Sequence, residues 1–299
     1  MRHLTLCPRG IYGTTTRWHL HCDTLMYTTH FIANRSLQTA YHDLGSRAPI
    51  LFVHGFTGSK LDFLNQLAWF SESHRVIAYD QRGHGESTNL GPYTLDELAD
   101  DLVSFLDALK IPTCHILGHS MGGMVVMRAL LSHPERFRSL VLMNTAPHGV
   151  TLFDDATSER LVDMVTKNGC QSLIEGMRGQ PQPPSIQRGI DFLGKNEHWR
   201  RIKVKLQQMD PRAFSHLGKE LAHQTDLSAQ LTNITVPTTV IVGAHDKLFL
   251  RPSRLMANTI EDANLHVIDN AAHSPQYEHP EAWRAAVDRH LLRTVEQVR

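Results

Sequence analysis

Six short apolar runs constrain this chain more than any other feature of it. They are "PILFVHG" (49–55), "RVIAYD" (75–80), "CHILGHS" (114–120), "SLVLMNT" (139–145), "TTVIVG" (238–243) and "NLHVID" (264–269). Uninterrupted runs of this length suit strands buried on both faces, as in a parallel sheet. Helical candidates fill the gaps at 59–70, 94–109, 121–132 and from Pro280 to about Val298. The second has a start signature, with Thr94 as cap, Glu97 three residues later, and a stripe of Leu95, Leu98, Leu102 and Leu106. Strand followed by helix, repeatedly, predicts right-handed crossovers and an α/β fold with an open, mostly parallel, doubly wound sheet. Ahead of it, "HFIANR" and "LQTAYHD" read as a hairpin.

The alternation stops at 147–235. Helical segments such as "SERLVDMVTK", "CQSLIEGM", "NEHWRRIKVKLQQM" and "PRAFSHLGKELAHQ" follow one another there, divided by a Pro/Gln-rich break, "RGQPQPPSIQRG". A helical insertion before the last two strands reads as a cap over the sheet's C-terminal edge, leaving 26–146 and 236–299 as the core. Residues 1–25 lack clear periodicity and read as a dispensable, disordered tail ahead of Met26. Their Arg-rich, acid-poor character would also suit a transit peptide. "HLHC" (19–22) in that tail lacks the second ligand pair of a metal site.

Lys+Arg and Asp+Glu both number 30 in 299 residues, so the chain has no basic excess to favour nucleic acid or an anionic membrane. No apolar run approaches the roughly 18 residues of a membrane span. The cysteines Cys7, Cys22, Cys114 and Cys170 are dispersed, without the pattern of a disulfide framework, and Cys114 opens a strand as a small hydrophobe. The expectation is a cytoplasmic protein acting on a small molecule, with no metal or organic cofactor.

Gly118-His119-Ser120-Met121-Gly122 places a serine between glycines, with a strand before it and a helix after it. In that context G-x-S-x-G predicts a nucleophile elbow rather than an ordinary tight turn. A serine hydroxyl needs a base and an orienting carboxylate, in the order Ser, acid, His. Asp246, in "IVGAHDKL", and His273, in "IDNAAHSPQYEHP", follow in that order, each just past a strand. The C-terminal ends of strands are where open α/β sheets carry their sites. Among 20 histidines, His245 and His279 compete on proximity, but one adjoins the acid itself and the other opens the last helix. The position after "SLVLM" offers Asn144, which carries no charge. The Phe56 and Met121 amides are the candidate oxyanion donors. Phe56 and Met124 are candidates for an apolar substrate pocket.

The motifs "HGFTGS", "DQRGHGES", "GHSMGG", "GAHDKL" and "AAHSPQYEHP" together resemble the α/β-hydrolase superfamily, from about residue 29 to the end. The resemblance implies the α/β-hydrolase fold and a Ser120–His273–Asp246 triad. It also implies that "DQRGHGES", with Arg82 and His84, shapes a loop rather than doing chemistry. Haloalkane dehalogenases and epoxide hydrolases resemble this pattern but carry aspartate where this chain has Ser120. "HGFTGSKLDF" is similar to the menaquinone-pathway lyase (SHCHC synthase) branch, which has arginine where this chain has Met124. Meta-cleavage C–C hydrolases and lactonases share the same triad. The reading that follows is a serine esterase acting on a small, largely apolar substrate; alternatives are a C–C hydrolase, a lactonase, a lyase, or a non-catalytic ligand receptor on the same fold.

Overall fold

The computed structural model describes residues 27–178 and 181–296. The tail at 1–25, with Cys7, Cys22 and "HLHC", lies outside the described residues, as do positions 297–298 of the expected last helix. Strands β1 (His30–Asn34) and β2 (Leu37–Leu44) form the expected hairpin. After them come β3 (Pro49–Val53), β4 (Arg75–Tyr79), β5 (Cys114–His119), β6 (Phe137–Met143), β7 (Thr238–Gly243) and β8 (Ala263–Ile268). They make one eight-stranded sheet in the order β1-β2-β4-β3-β5-β6-β7-β8. β2 is antiparallel to β1 and β4, and every other pairing is parallel.

The chain winds outward from β3 to β4 and then returns to β5 on the other side of β3. The switch point of this doubly wound sheet therefore lies between the C-terminal ends of β3 and β5, where a crevice opens. Every residue of β5 and β7 is buried, which explains their unbroken apolar runs. β8 corrects the sequence reading. It is the edge strand, only its last residue is fully buried, and Val267 is 41% exposed.

Successive side chains point to opposite faces of a strand, and the core divides accordingly. Ile50, Phe52 and Leu117 pack with α1 (Leu64–Phe70) and α11 (Pro280–Glu296) around the fully buried Trp283. Leu51, Val53 and Ile116 pack with α2 (Leu95–Ala108), α3 (Met121–Ser132) and α9 (Leu250–Thr259). Before α1 the chain makes a separate 3₁₀ turn, Lys60–Phe63, where Ser59 and Asp62 close a capping box. Thr94 caps α2 as expected, but the Glu97 carboxylate leaves that box open and pairs with Arg82 and Arg35.

Among the described residues, five α-helices lie between β6 and β7: α4 (Asp155–Asn168), α5 (Leu173–Arg178), α6 (Pro184–Leu193), α7 (Lys195–Gln208) and α8 (Pro211–His223). The expected break "RGQPQPPSIQRG" is helical over its second half, because Pro184 supplies the pre-set φ of a helix start. Val165, Leu206, Phe214 and Leu217 of these helices join the apolar cluster beneath α2 and α3.

Candidate active site

Ser120 ends β5 with φ 55° and ψ −121°, a conformation that costs about 1–3 kcal/mol for a residue with a side chain. Two contacts hold it there. Its amide donates to the Met143 carbonyl at 2.9 Å, and its own carbonyl accepts from Thr145 Oγ1 at 2.7 Å. The flanking glycines are dictated by space. A Cβ on Gly122 would sit 2.3 Å from the Val53 carbonyl oxygen, and one on Gly118 would sit 2.6 Å from the Gly122 oxygen. A Cβ on Gly55 would lie 3.0 Å from Ser120 Cβ, so the loop after β3 runs against the serine. The Phe56 amide in that loop and the Met121 amide opening α3 have no backbone acceptor among the described residues.

The three predicted side chains meet. His273 Nδ1 donates to Asp246 Oδ2 at 2.7 Å, and Ser120 Oγ lies 3.0 Å from His273 Nε2. His245 is exposed, and the His279 ring has a buried Nδ1 without a partner, so neither competitor enters this chain of contacts. Burial works to raise the Asp246 pKa, but the bond and charge of His273 and the Asn144 amide hold it below the usual carboxylate range.

The contacts of four residues around this set were not read from the sequence. Asn144 Nδ2 donates to Asp246 Oδ2 at 2.6 Å and to the Ala272 carbonyl at 2.8 Å, so the residue dismissed as an acid steadies the acid. Glu278 accepts from the backbone amides on either side of His273, those of Ala272 and Ser274. Burial pushes its pKa up, against those two bonds. His119 Nε2 donates to the His273 carbonyl at 2.7 Å. Burial, with the charge of His273, pushes the His119 imidazole down to about 3, so it is neutral. The Phe249 ring stacks on His273 at 5.1 Å. Glu278 lies inside the quoted "AAHSPQYEHP" and His119 inside "GHSMGG", but nothing in either motif announces a bond to backbone.

A cavity of about 320 Å³ opens above Ser120 and His273. Phe56 lines it as predicted, as do Met177, Leu193, Trp199 and Ile202 from the inserted helices. Met124 does not. It is 1% exposed on α3, and its sulfur accepts from the Gln224 amide at 3.0 Å, so the substrate-contact expectation for it is corrected. Met121 is likewise fully buried and offers the site only its amide. The walls are also less apolar than expected, since Asp62, Lys205, Arg201 and Tyr277 line the cavity too. Arg82 and His84 lie elsewhere. Arg82 is clamped by Asp101 and Glu97, and burial pushes His84 down to about 3. Among the described residues, no group of three or more His, Cys, Asp or Glu could hold a metal ion, and no helix is long and apolar enough to cross a membrane.

A family model described as the alpha/beta hydrolase fold matches residues 48–280. The chain belongs to the α/β hydrolase fold family. Within the family it is 29% identical over 244 residues to 3-oxoadipate enol-lactonase 2 of Acinetobacter baylyi, covering 80% of this chain and 87% of the relative. It is 26% identical over 280 residues to a Bacillus subtilis chain provisionally named 2-succinyl-6-hydroxy-2,4-cyclohexadiene-1-carboxylate synthase, covering 89% of this chain and 99% of that one. Among solved structures, a thermophilic esterase from Thermogutta terrifontis superposes with a TM-score of 0.76 at 26% identity, over 89% of this chain and 99% of the esterase.

Proposed function

We propose that this family member is a serine hydrolase that cleaves a carboxylic ester or related acyl bond of a small substrate through an acyl-enzyme. The observation carrying this reading is the unbroken Asp246–His273–Ser120 series, at 2.7 and 3.0 Å, beneath an open cavity. His273 takes the Ser120 proton as Oγ attacks the carbonyl carbon, then returns it to the leaving alcohol. Asp246, kept ionised, fixes the imidazole tautomer and stabilises the imidazolium. The Phe56 and Met121 amides, free of backbone acceptors, hold the developing oxyanion. Water activated by the same imidazole then releases the acid. The helices of 147–235 act as the cap over this site.

A lactone is a cyclic ester, so the enol-lactonase relative is compatible with the same steps. The synthase chemistry named for the Bacillus subtilis relative is less favoured, because the position expected to carry a cation is a buried methionine, Met124. A non-catalytic receptor would have no need of so complete a set of contacts. The test is a fluorophosphonate probe together with p-nitrophenyl ester and lactone substrates. Labelling and turnover are expected in the natural protein and absent in Ser120→Ala; full esterase activity in that variant would overturn the mechanism.

A further inference from the structure

One face of α7 presents His198, Arg201, Ile202 and Lys205 to the cavity, at helical spacing i, i+3, i+4 and i+7. Its two permanent cations are held differently. Arg201 is held through its Nε and Nη1 nitrogens, with Glu197 at 2.7 Å, Asn65 Oδ1 at 3.1 Å and the Leu61 carbonyl at 3.3 Å, and its side chain is 8% exposed. Lys205 meets only Asp62 Oδ1, at 2.5 Å, and is 17% exposed. An ammonium has three donors, so two point away from protein partners among the described residues.

Asp62 has both carboxylate oxygens engaged and no donor to offer a ligand oxygen. Its second oxygen accepts the Ser59 amide at 3.1 Å. Burial would raise its pKa, but the charge and bond of Lys205 hold it below the usual range, so it remains a carboxylate. Lys205 is thus matched by Asp62, while Arg201 shares Glu197 with Arg200. Farther along the cavity, Glu278 is occupied by two backbone amides.

We infer that Lys205 determines specificity by donating to an uncharged oxygen on the substrate, a ketone, amide or ether in the acyl or the alcohol half. An aliphatic chain in that place would strip water from two ammonium donors without replacing it. A carboxylate there would set two carboxylates, its own and that of Asp62, against the single Lys205 ammonium. The favoured substrate is an ester or lactone with an apolar body, fitting Met177, Leu193 and Ile202, and one neutral polar group. This inference rests on the serine-hydrolase reading and refines it.

The experiment compares three matched acyl chains as p-nitrophenyl esters: pentanoate, 4-oxopentanoate and hemisuccinate. A parallel series varies the alcohol of an acetate between butyl, 3-oxobutyl and 2-carboxyethyl. In at least one series the ketone is expected to exceed both the alkyl and the anionic member in kcat/KM by about tenfold, the value of one hydrogen bond to a charged donor. In Lys205→Met the ketone-to-alkyl ratio falls to about one, and in Lys205→Arg, which keeps donors and charge, it stays above one. Asp62→Asn/Lys205→Met leaves no orphaned carboxylate and gives the same low ratio should the single variant not fold. Preference for the alkyl or anionic member in both series, or a ketone preference that survives Lys205→Met, overturns the inference while leaving the serine hydrolase intact. Turnover that persists in Ser120→Ala overturns the underlying reading instead.

Discussion

The C-terminal edge of the sheet and helices α5–α7 of the insertion face each other across one cavity, yet different forces hold edge and insertion. At the edge the backbone sets the geometry. Ser120 sits at φ 55°, and a Cβ on Gly122 would lie 2.3 Å from a carbonyl oxygen. In the insertion, one-sided helices lean on the core; α4 buries only Val165, and a Cβ on Gly176 of α5 would meet nothing within 4 Å. The contrast teaches a division of labour. On the proposed mechanism, atoms that react are placed where the chain has no freedom, and atoms that select are placed where side chains can change at little cost to the fold.

Acid gives the largest expected asymmetry between these halves. Burial pushes His54 and His115 down to about 4, and His84, His119 and His290 down to about 3, and all five lie outside the inserted helices. An unfolded imidazole titrates near 6.5, so between about pH 6.5 and pH 4 the unfolded chain binds more protons than the folded one. Stability is therefore present above pH 6.5 and is lost as pH falls through that window. Calorimetric unfolding at pH 5 should take up roughly four to five protons from these groups, each about 1.4 kcal/mol per pH unit. Uptake of fewer than about two would mean that the sheet half is not as dry as its burial implies.

Ser120→Ala comes next, with a loss of at least about 10⁴-fold in kcat on any turned-over ester, measured by p-nitrophenol release. In contrast, Ser120→Gly should be equally inactive yet about 1 kcal/mol more stable, because glycine carries no penalty at positive φ. An unchanged or lower denaturant midpoint would argue that the elbow is not strained. Gly122→Ala should cost about 3 kcal/mol, since backbone rather than a flexible side chain blocks the new methyl. The same change at Gly176 should be neutral or stabilise by about 0.5–1 kcal/mol, since it fills open space in a helix. Equal effects at the two glycines would collapse the distinction drawn between the regions.

Much of the edge was legible in the sequence because its signals are local. Runs buried on both faces, a serine between obligatory glycines, and acid and base directly after strands each declare themselves within a few residues. What escaped notice depends on contacts between distant segments. Asn144 reaches Asp246 and His119 reaches the His273 carbonyl, pairs more than 100 residues apart. Glu278 serves backbone amides, which leave no side-chain signature. Met124 looked like a pocket residue only because it follows the elbow; its direction was set by Gln224, at the end of α8. β8 read as an interior strand since composition does not reveal which strand ends the sheet. In the insertion, a helical pattern showed which residues lie together on α7 but not what they face, and so the cavity was expected to be more apolar than it is.

The placement of the tryptophans has an optical consequence. Trp283 is wholly enclosed between α11 and the sheet, 6.5 Å from the Phe52 ring, whereas Trp199 is half-buried in the cavity wall under the Arg178 guanidinium at 5.1 Å. The first indole emits from an apolar setting and shifts to the red only when the sheet's packing is lost. The second reports on water and ligand in the cavity while the sheet stays folded. The chain has four tryptophans, and the difference in emission between the natural protein and Trp199→Phe isolates the cavity-wall signal from the other three without an added label.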